Sequence, residues 1–92
     1  MHYFSRSVTT NFDDAIAATK EALKRRKFAI LAEIDVQEVL RRNLGMDFRR
    51  FVILSACSLP LACQAIEADS EIGSILLCNV VVQEHRDGRV EI

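Results

Sequence analysis

Three cysteines, Cys57, Cys63 and Cys78, are the residues of this 92-residue chain whose types could do chemistry. Two of them lie in Leu54–Ala65, LSACSLPLACQA, on either side of Pro60. A thiol does nucleophilic or redox work only as thiolate, so its surroundings decide what it is. Cys57 falls where an apolar strand pattern stops, directly before Ser58, which can cap a helix. The unpaired N–H groups and positive dipole end of that helix would stabilise a thiolate. Cysteines so placed have pKa values lowered to roughly 3.5–7.5. The competing reading is that a free cysteine fills a small core space, since it is among the most buried residue types.

The spacing C-x5-C-x14-C matches neither the paired knuckles of structural zinc nor a C-x-x-C redox motif. A metal site would take Cys57 and Cys78 as candidates, with only His2 and His85 available as imidazole ligands. The sequence contains no nucleophile–histidine–acid signature, Gly-rich phosphate loop or H-E-x-x-H. Asn79 interrupts Leu76-Leu77-Cys78 and Val80-Val81-Val82, and a buried amide there must be hydrogen-bonded, either to tie down backbone or to meet a ligand. The candidate binding residues are therefore Cys57, Ser58, Cys78 and Asn79, with Cys57 the one candidate catalytic group. Glu33 and Asp35 flank Ile34 where a strand enters a helix, and read as cap and solvated surface.

Hydrophobic periodicity supplies the elements that must position these groups. His2–Val8 reads as a first strand, and Phe12 begins a helix whose Ala15, Ile16, Thr19, Ala22 and Leu23 form one face. Thr10 or Asn11 can cap it, acids fill its first turn, and Lys24–Lys27 lies where bases offset the dipole at its end. Phe28–Ile34 reads as a second strand with Phe28, Ile30, Ala32 and Ile34 on one face. Asp35 with Glu38 makes a capping-box variant for a second helix. Its stripe is Val36, Val39, Leu40 and Leu44, and Gly45 stops it. Phe48–Cys57 is a third strand. Ser58 and Pro60 then open a third helix with Leu61, Ala62, Ala65 and Ile66 as its buried stripe. Gly73 marks a turn, Ser74–Glu84 a fourth strand, and Asp87-Gly88 a two-residue hairpin into a fifth, Arg89–Ile92.

The order β-α-β-α-β-α-β-β, with abrupt connections and an antiparallel terminal hairpin, predicts an α+β two-layer sandwich. Its sheet is mixed or mainly antiparallel, with helices on one face, and the other face would need a partner. Ninety-two residues suffice for one domain, residues 1–92, and 50% hydrophobic content is rich for that size. A homodimer is expected from that excess. A net charge of −1 argues against nucleic acid as partner. No apolar run reaches a membrane span, no signal peptide is apparent, and the expected location is the cytoplasm.

One family pattern runs through these segments: Glu33-Ile34-Asp35-Val36, Leu44-Gly45, Ile53-Leu54-x-Ala56-Cys57, Ala68-Asp69-x-Glu71-Ile72-Gly73 and Leu76-x-Cys78-Asn79-Val80. In that order, from Tyr3 to about Glu84, the sequence resembles the bacterial and archaeal domain-of-unknown-function family 302. The family usually reads G-A-C-N-P-P where this chain has Ser55–Pro60, and L-L-P-C-N-V where this chain has Leu77 in place of the proline. Relatives usually continue past the position of Ile92. The resemblance implies an α+β homodimer with no assigned activity or cofactor, and singles out Cys57, Cys78 and Asn79. The first expectation is a non-enzymatic module binding a small ligand, a metal or a sulfur species near Cys57 and Cys78. The alternatives are a thiol-dependent enzyme or sulfur-handling protein using Cys57, and a purely structural interaction module.

Overall fold

The computed structural model describes residues 5–68 and 77–92. His2, Tyr3 and Phe4 of the expected first strand, Gly73, and the start of the expected fourth strand lie outside the described residues. Among the described residues eight elements follow in order: β1 (Ser7–Val8), α1 (Phe12–Arg25), β2 (Phe28–Asp35), α2 (Val36–Leu44), β3 (Phe51–Ser58), α3 (Leu59–Ala68), β4 (Leu77–Glu84) and β5 (Val90–Glu91). The five strands make one sheet in the order β1-β5-β4-β3-β2, and every neighbouring pair is antiparallel. The predicted α+β class with a mainly antiparallel sheet is what the chain adopts.

Local chemistry sets the helix ends. The Asn11 side chain accepts from the Asp14 amide at 2.9 Å, Asp13 and Asp14 occupy the first turn of α1, and Lys24 and Arg25 its last. Lys27 then turns the chain into β2 at φ 62°, a left-handed conformation uncommon for a residue with a Cβ. Its carbonyl accepts from Leu59 N at 3.2 Å, tying this turn to the start of α3. Asp35 caps α2 through the Glu38 amide at 3.1 Å, and Gly45, left-handed at φ 63°, closes it.

Strand β3 alternates strictly. Val52, Leu54 and Ala56 are buried, while Phe51, Ile53, Ser55 and Cys57 on the other side are half-buried. The core forms where that inner face and Val82 and Val90 meet Phe12 and Ala15 of α1, with Ile16, Leu23, Ile30 and Val80 packed around them. Arg50 pins the start of α1 to the entry of β3: its guanidinium lies 4.3 Å from the Phe12 ring and 2.7 Å from an Asp13 oxygen.

Three sequence expectations are corrected. Strand β2 does not keep one face: Ile30 pairs with Ala56, but Ala32 pairs with Ser55, so Leu31 is an extra residue in a β-bulge. One inserted residue flips all that follow. Phe28 and Ile30 face the core, Ala32 and Ile34 face away, and Glu33 joins the α1 side, where Lys20 meets it at 2.5 Å. Apolar positions of the later helices are also less buried than predicted, and Ala62, Ala65 and Ile66 of the α3 stripe lie outside the side chains described. No residue of α2 is buried, with Val39 and Leu44 exposed, and Leu61 of α3 is exposed as well. Finally, the β4–β5 hairpin is longer than two residues. Gly88 N donates to His85 O and His85 N to Arg89 O, a turn in which Gly88 takes φ 87°.

Candidate functional site

The antiparallel register of β3 and β4 decides which candidate residues can meet. Ala56 opposes Cys78, Ser55 opposes Asn79 and Cys57 opposes Leu77. Directly opposed residues share a face, and successive residues alternate between faces. Cys78 therefore lies on the side of Ala56, toward α1, whereas Cys57, Ser55 and Asn79 lie on the side turned away from α1. The two cysteines are on adjacent strands but on opposite faces. The single pocket expected around both divides, because one pocket would require an even offset between them and the register gives an odd one.

Cys57 is half-buried, whereas Cys63 and Cys78 are exposed. Ser58 ends β3 opposite Phe28 and is followed directly by Leu59 of α3, so the abrupt strand-to-helix junction read from the sequence is present. Pro60 is the second residue of that helix, where its missing N–H leaves no bond unmade. Among the described residues no group of three or more His, Cys, Asp or Glu side chains is gathered as a metal site would need.

Asn79 is exposed and not the buried amide its apolar neighbours suggest, yet it does find a side-chain partner. Ser55 Oγ donates to Asn79 Oδ1 at 2.8 Å, across the pair that the register places face to face. The amide nitrogen of Asn79 makes no bond among the described residues, so its two N–H donors remain available. Asn79 also lines a groove of about 530 Å3, together with Phe51, Val81, Gln83, Glu91 and Ser5. Phe51 and Val81 give it apolar walls, and Gln83 and Glu91 close it at the β5 side.

That closed end is a connected polar chain which sequence reading missed. Arg49 Nε donates to Gln83 Oε1 at 3.0 Å, and Gln83 Nε2 donates to Glu91 Oε1 at 3.2 Å. The same Glu91 oxygen meets His85 Nε2 at 3.0 Å, and the other accepts from Ser5 Oγ. The hydrogen bond from Ser5, then that from His85, holds the Glu91 carboxyl below its ordinary pKa, against a smaller opposing effect of desolvation. The Arg49 guanidinium stacks 4.4 Å from the Phe48 ring centre and 5.4 Å from that of Phe51. No short motif could have announced these groups, since Ser5 and Glu91 meet across 86 positions. The alternation on β3 and β4 was the one usable signal, because it sets Phe51 and Gln83 on the Asn79 side once the register is known.

A second groove of about 770 Å3 lies between the segment 47–50 and the β4–β5 hairpin. It is lined by both signs of charge: Arg49, Arg50 and Arg86 against Asp47 and Glu84. Arg50 is already engaged by Asp13, whose carboxyl is in turn held below its ordinary pKa by that hydrogen bond and charge. Among the described residues no helix is long and apolar enough to cross a membrane.

Comparison with known proteins agrees with this architecture. Residues 4–92 match the family described as domain of unknown function DUF302. The chain is similar to the uncharacterized conserved protein DUF302 from Bacillus stearothermophilus, known from its crystal structure. The TM-score is 0.80 and the sequence identity 28%, over 96% of this chain and 68% of the other. No curated protein matches the chain.

Proposed function

We propose that this chain, which belongs to the DUF302 family, is a non-enzymatic module that holds a small organic ligand in the groove beside β4. The observation that carries this reading is Asn79. Its carbonyl is fixed by Ser55 while its amide donors stand unengaged among the described residues, at the wall of a groove whose apolar lining is Phe51, Val80, Val81 and Ile92. A few placed polar groups on apolar walls is the usual composition of a ligand site. Cys57, two positions from Ser55 on the same strand face, extends the polar end of the site. It acts there as a contact and not as a nucleophile.

The module is proposed to work as a homodimer. The exposed apolar side chains Leu31 and Ile34 of β2 and Val39, Leu44 and Met46 of and after α2 sit at the β2 end of the sheet, away from the β4–β5 side that holds the groove. A second copy covering them would leave the groove open. Exposed apolar side chains of this kind are what self-association removes from water.

Two measurements test the reading. In 1H–15N spectra of the labelled protein titrated with a panel of small amphiphiles carrying hydroxyl, amide or carboxylate groups, the Phe51, Asn79, Val81 and Gln83 resonances should shift together. A panel that moves none of them removes the groove as a site. Sedimentation equilibrium should give twice the 10.4 kDa chain mass, and Ile34→Lys should return it to one. A wild-type protein that sediments as a single chain at every concentration ends the dimer proposal. Rapid turnover of a thioester or disulfide probe that is lost in Cys57→Ser would favour thiol chemistry instead.

A further inference from the structure

We infer that the ligand of this groove is an amphipathic carboxylate, and that Arg49 receives its charge. This deepens the ligand-binding reading and rests on it. Four cations face a carboxylate, and of those that do not, Arg49 is the one stacked on aromatic rings among the described residues. Lys20 faces Glu33, Arg41 and Arg42 face Glu38, and Arg50 faces Asp13. Arg49 is as firmly placed as any of these, by two aromatic rings and a glutamine, yet it faces no carboxylate among the described residues.

A long side chain fixed in one rotamer gives up conformational freedom, and stacking on Phe48 and Phe51 offsets that cost. The result is a guanidinium oriented before any ligand arrives. Only its Nε is used, by Gln83, so both terminal nitrogens remain without an acceptor among the described residues. That edge is the one which pairs with a carboxylate through two parallel hydrogen bonds.

Asp47 and Glu84 line the larger groove with Arg49 but make no ion pair with it, and Glu91 reaches it only through Gln83. Gln83 stands between Arg49 and Glu91, its carbonyl oxygen turned to the first and its amide nitrogen to the second. Ser5 and His85 take up the rest of the Glu91 carboxylate. Gln83 thus bonds to both Arg49 and Glu91, and the terminal nitrogens of Arg49 are left for an external anion.

Arg49 lines the larger groove and touches Phe51 and Gln83, walls of the smaller one, so its charge sits where the two adjoin. From the Phe51–Gln83 pair to the Ser55–Asn79 pair is four residues along the strands, about 13 Å at roughly 3.3 Å per residue. Between these polar ends lie Ile53 and Val81. A carboxylate at Arg49, an apolar body over Phe51 and Val81, and an optional acceptor at Asn79 fit that sequence of surfaces.

The test compares octanoate with octanamide, its neutral isostere, by titration followed in 1H–15N spectra, on wild type, Arg49→Met and Arg49→Lys. Methionine keeps an unbranched apolar stem over the rings and removes the charge. Each variant is first required to retain the wild-type spectrum away from residues 47–51. Octanoate should bind the wild type in the groove and weaken roughly ten- to hundredfold in Arg49→Met, with a smaller loss in Arg49→Lys, while octanamide binding is unchanged. If both probes bind in the groove equally and Arg49→Met alters neither, the charge assignment is overturned while the groove stands. If neither probe moves the groove resonances, the ligand-binding reading and this inference fall together.

Discussion

Replacing Leu54 with alanine should remove a large part of the stability of this domain. Leu54 is 0% exposed at the middle of β3, with Glu33 and Val80 opposite it on the two flanking strands and α1 above. The loss combines the transfer of the missing carbons with the cavity they leave, and buried Leu→Ala changes cost about 2–5 kcal/mol. The neighbours here are β-branched Val52 and Val82 on a three-strand ladder, which cannot collapse far into the space, so about 3 kcal/mol is expected. For a domain of this size each kcal/mol moves the melting temperature by about 4–8 °C, which places the shift at about 12–24 °C. In urea, with a slope of about 1–3 kcal/mol/M, the midpoint should fall by roughly 1–3 M. Leu61→Ala is the companion. The periodicity of α3 predicts burial for it, but Leu61 is 59% exposed and its loss should stay within about 0.5 kcal/mol. Equal losses for the two, or a loss under about 1 kcal/mol at Leu54, would refute the placement of the core on the Leu54 face.

The bulge at Leu31 sets a second contrast: Ile30→Asp should unfold the domain or nearly so, whereas Ile34→Asp, 41% exposed on the other face, should leave the melting temperature of the single chain within a few degrees. Asp35→Ala should cost about 1 kcal/mol through the lost α2 cap, read by thermal unfolding and by helical circular dichroism. Glu91 provides the pH dependence. Its folded carboxyl has a pKa below the ordinary value, so the unfolded chain binds the proton more readily. The stability it contributes is present above the ordinary carboxylate pKa and is lost as pH falls through the folded value. Urea midpoints measured from pH 6 to pH 3 should therefore fall less steeply for Glu91→Gln than for wild type, and parallel curves would count against the Ser5–Glu91–His85 cluster.

What was legible in the sequence is what depends on neighbours along the chain. Asn11, one of two cap candidates with Thr10, and Asp35 and Gly45 each mark a helix end through a local bond that forms, whereas the Glu38 carboxylate turns to Arg41 and does not close the capping box. Asp87-Gly88 announces the hairpin for the same reason, though not its length. The bulge at Leu31 leaves no such mark. Phe28–Asp35 contains no glycine or proline, and its alternation reads unbroken unless β3 is laid beside it. Whether the candidate site residues meet is hidden in the same way. Cys57, Cys78 and Asn79 are correctly placed at strand positions, but whether they share a face depends on one offset between β3 and β4. Arg49, Gln83 and Glu91 carry no local signature, because each is defined by a partner on another strand.

The pairing of β1 with β5 has a kinetic consequence. Ser7 meets Glu91 and Val8 meets Val90, across almost the whole length of the chain. Val90 is also a member of the core, so the nucleus that α1, β3 and β4 can build from nearer contacts stays unsealed until a distant strand arrives. Closing so long a loop costs entropy before any contact repays it, and domains dominated by such pairings fold in milliseconds to seconds and not microseconds. The same two-residue ladder should open first under native conditions. Amide protons of Val8 and Val90 are then the earliest to exchange, and Leu54 and Val82 among the last.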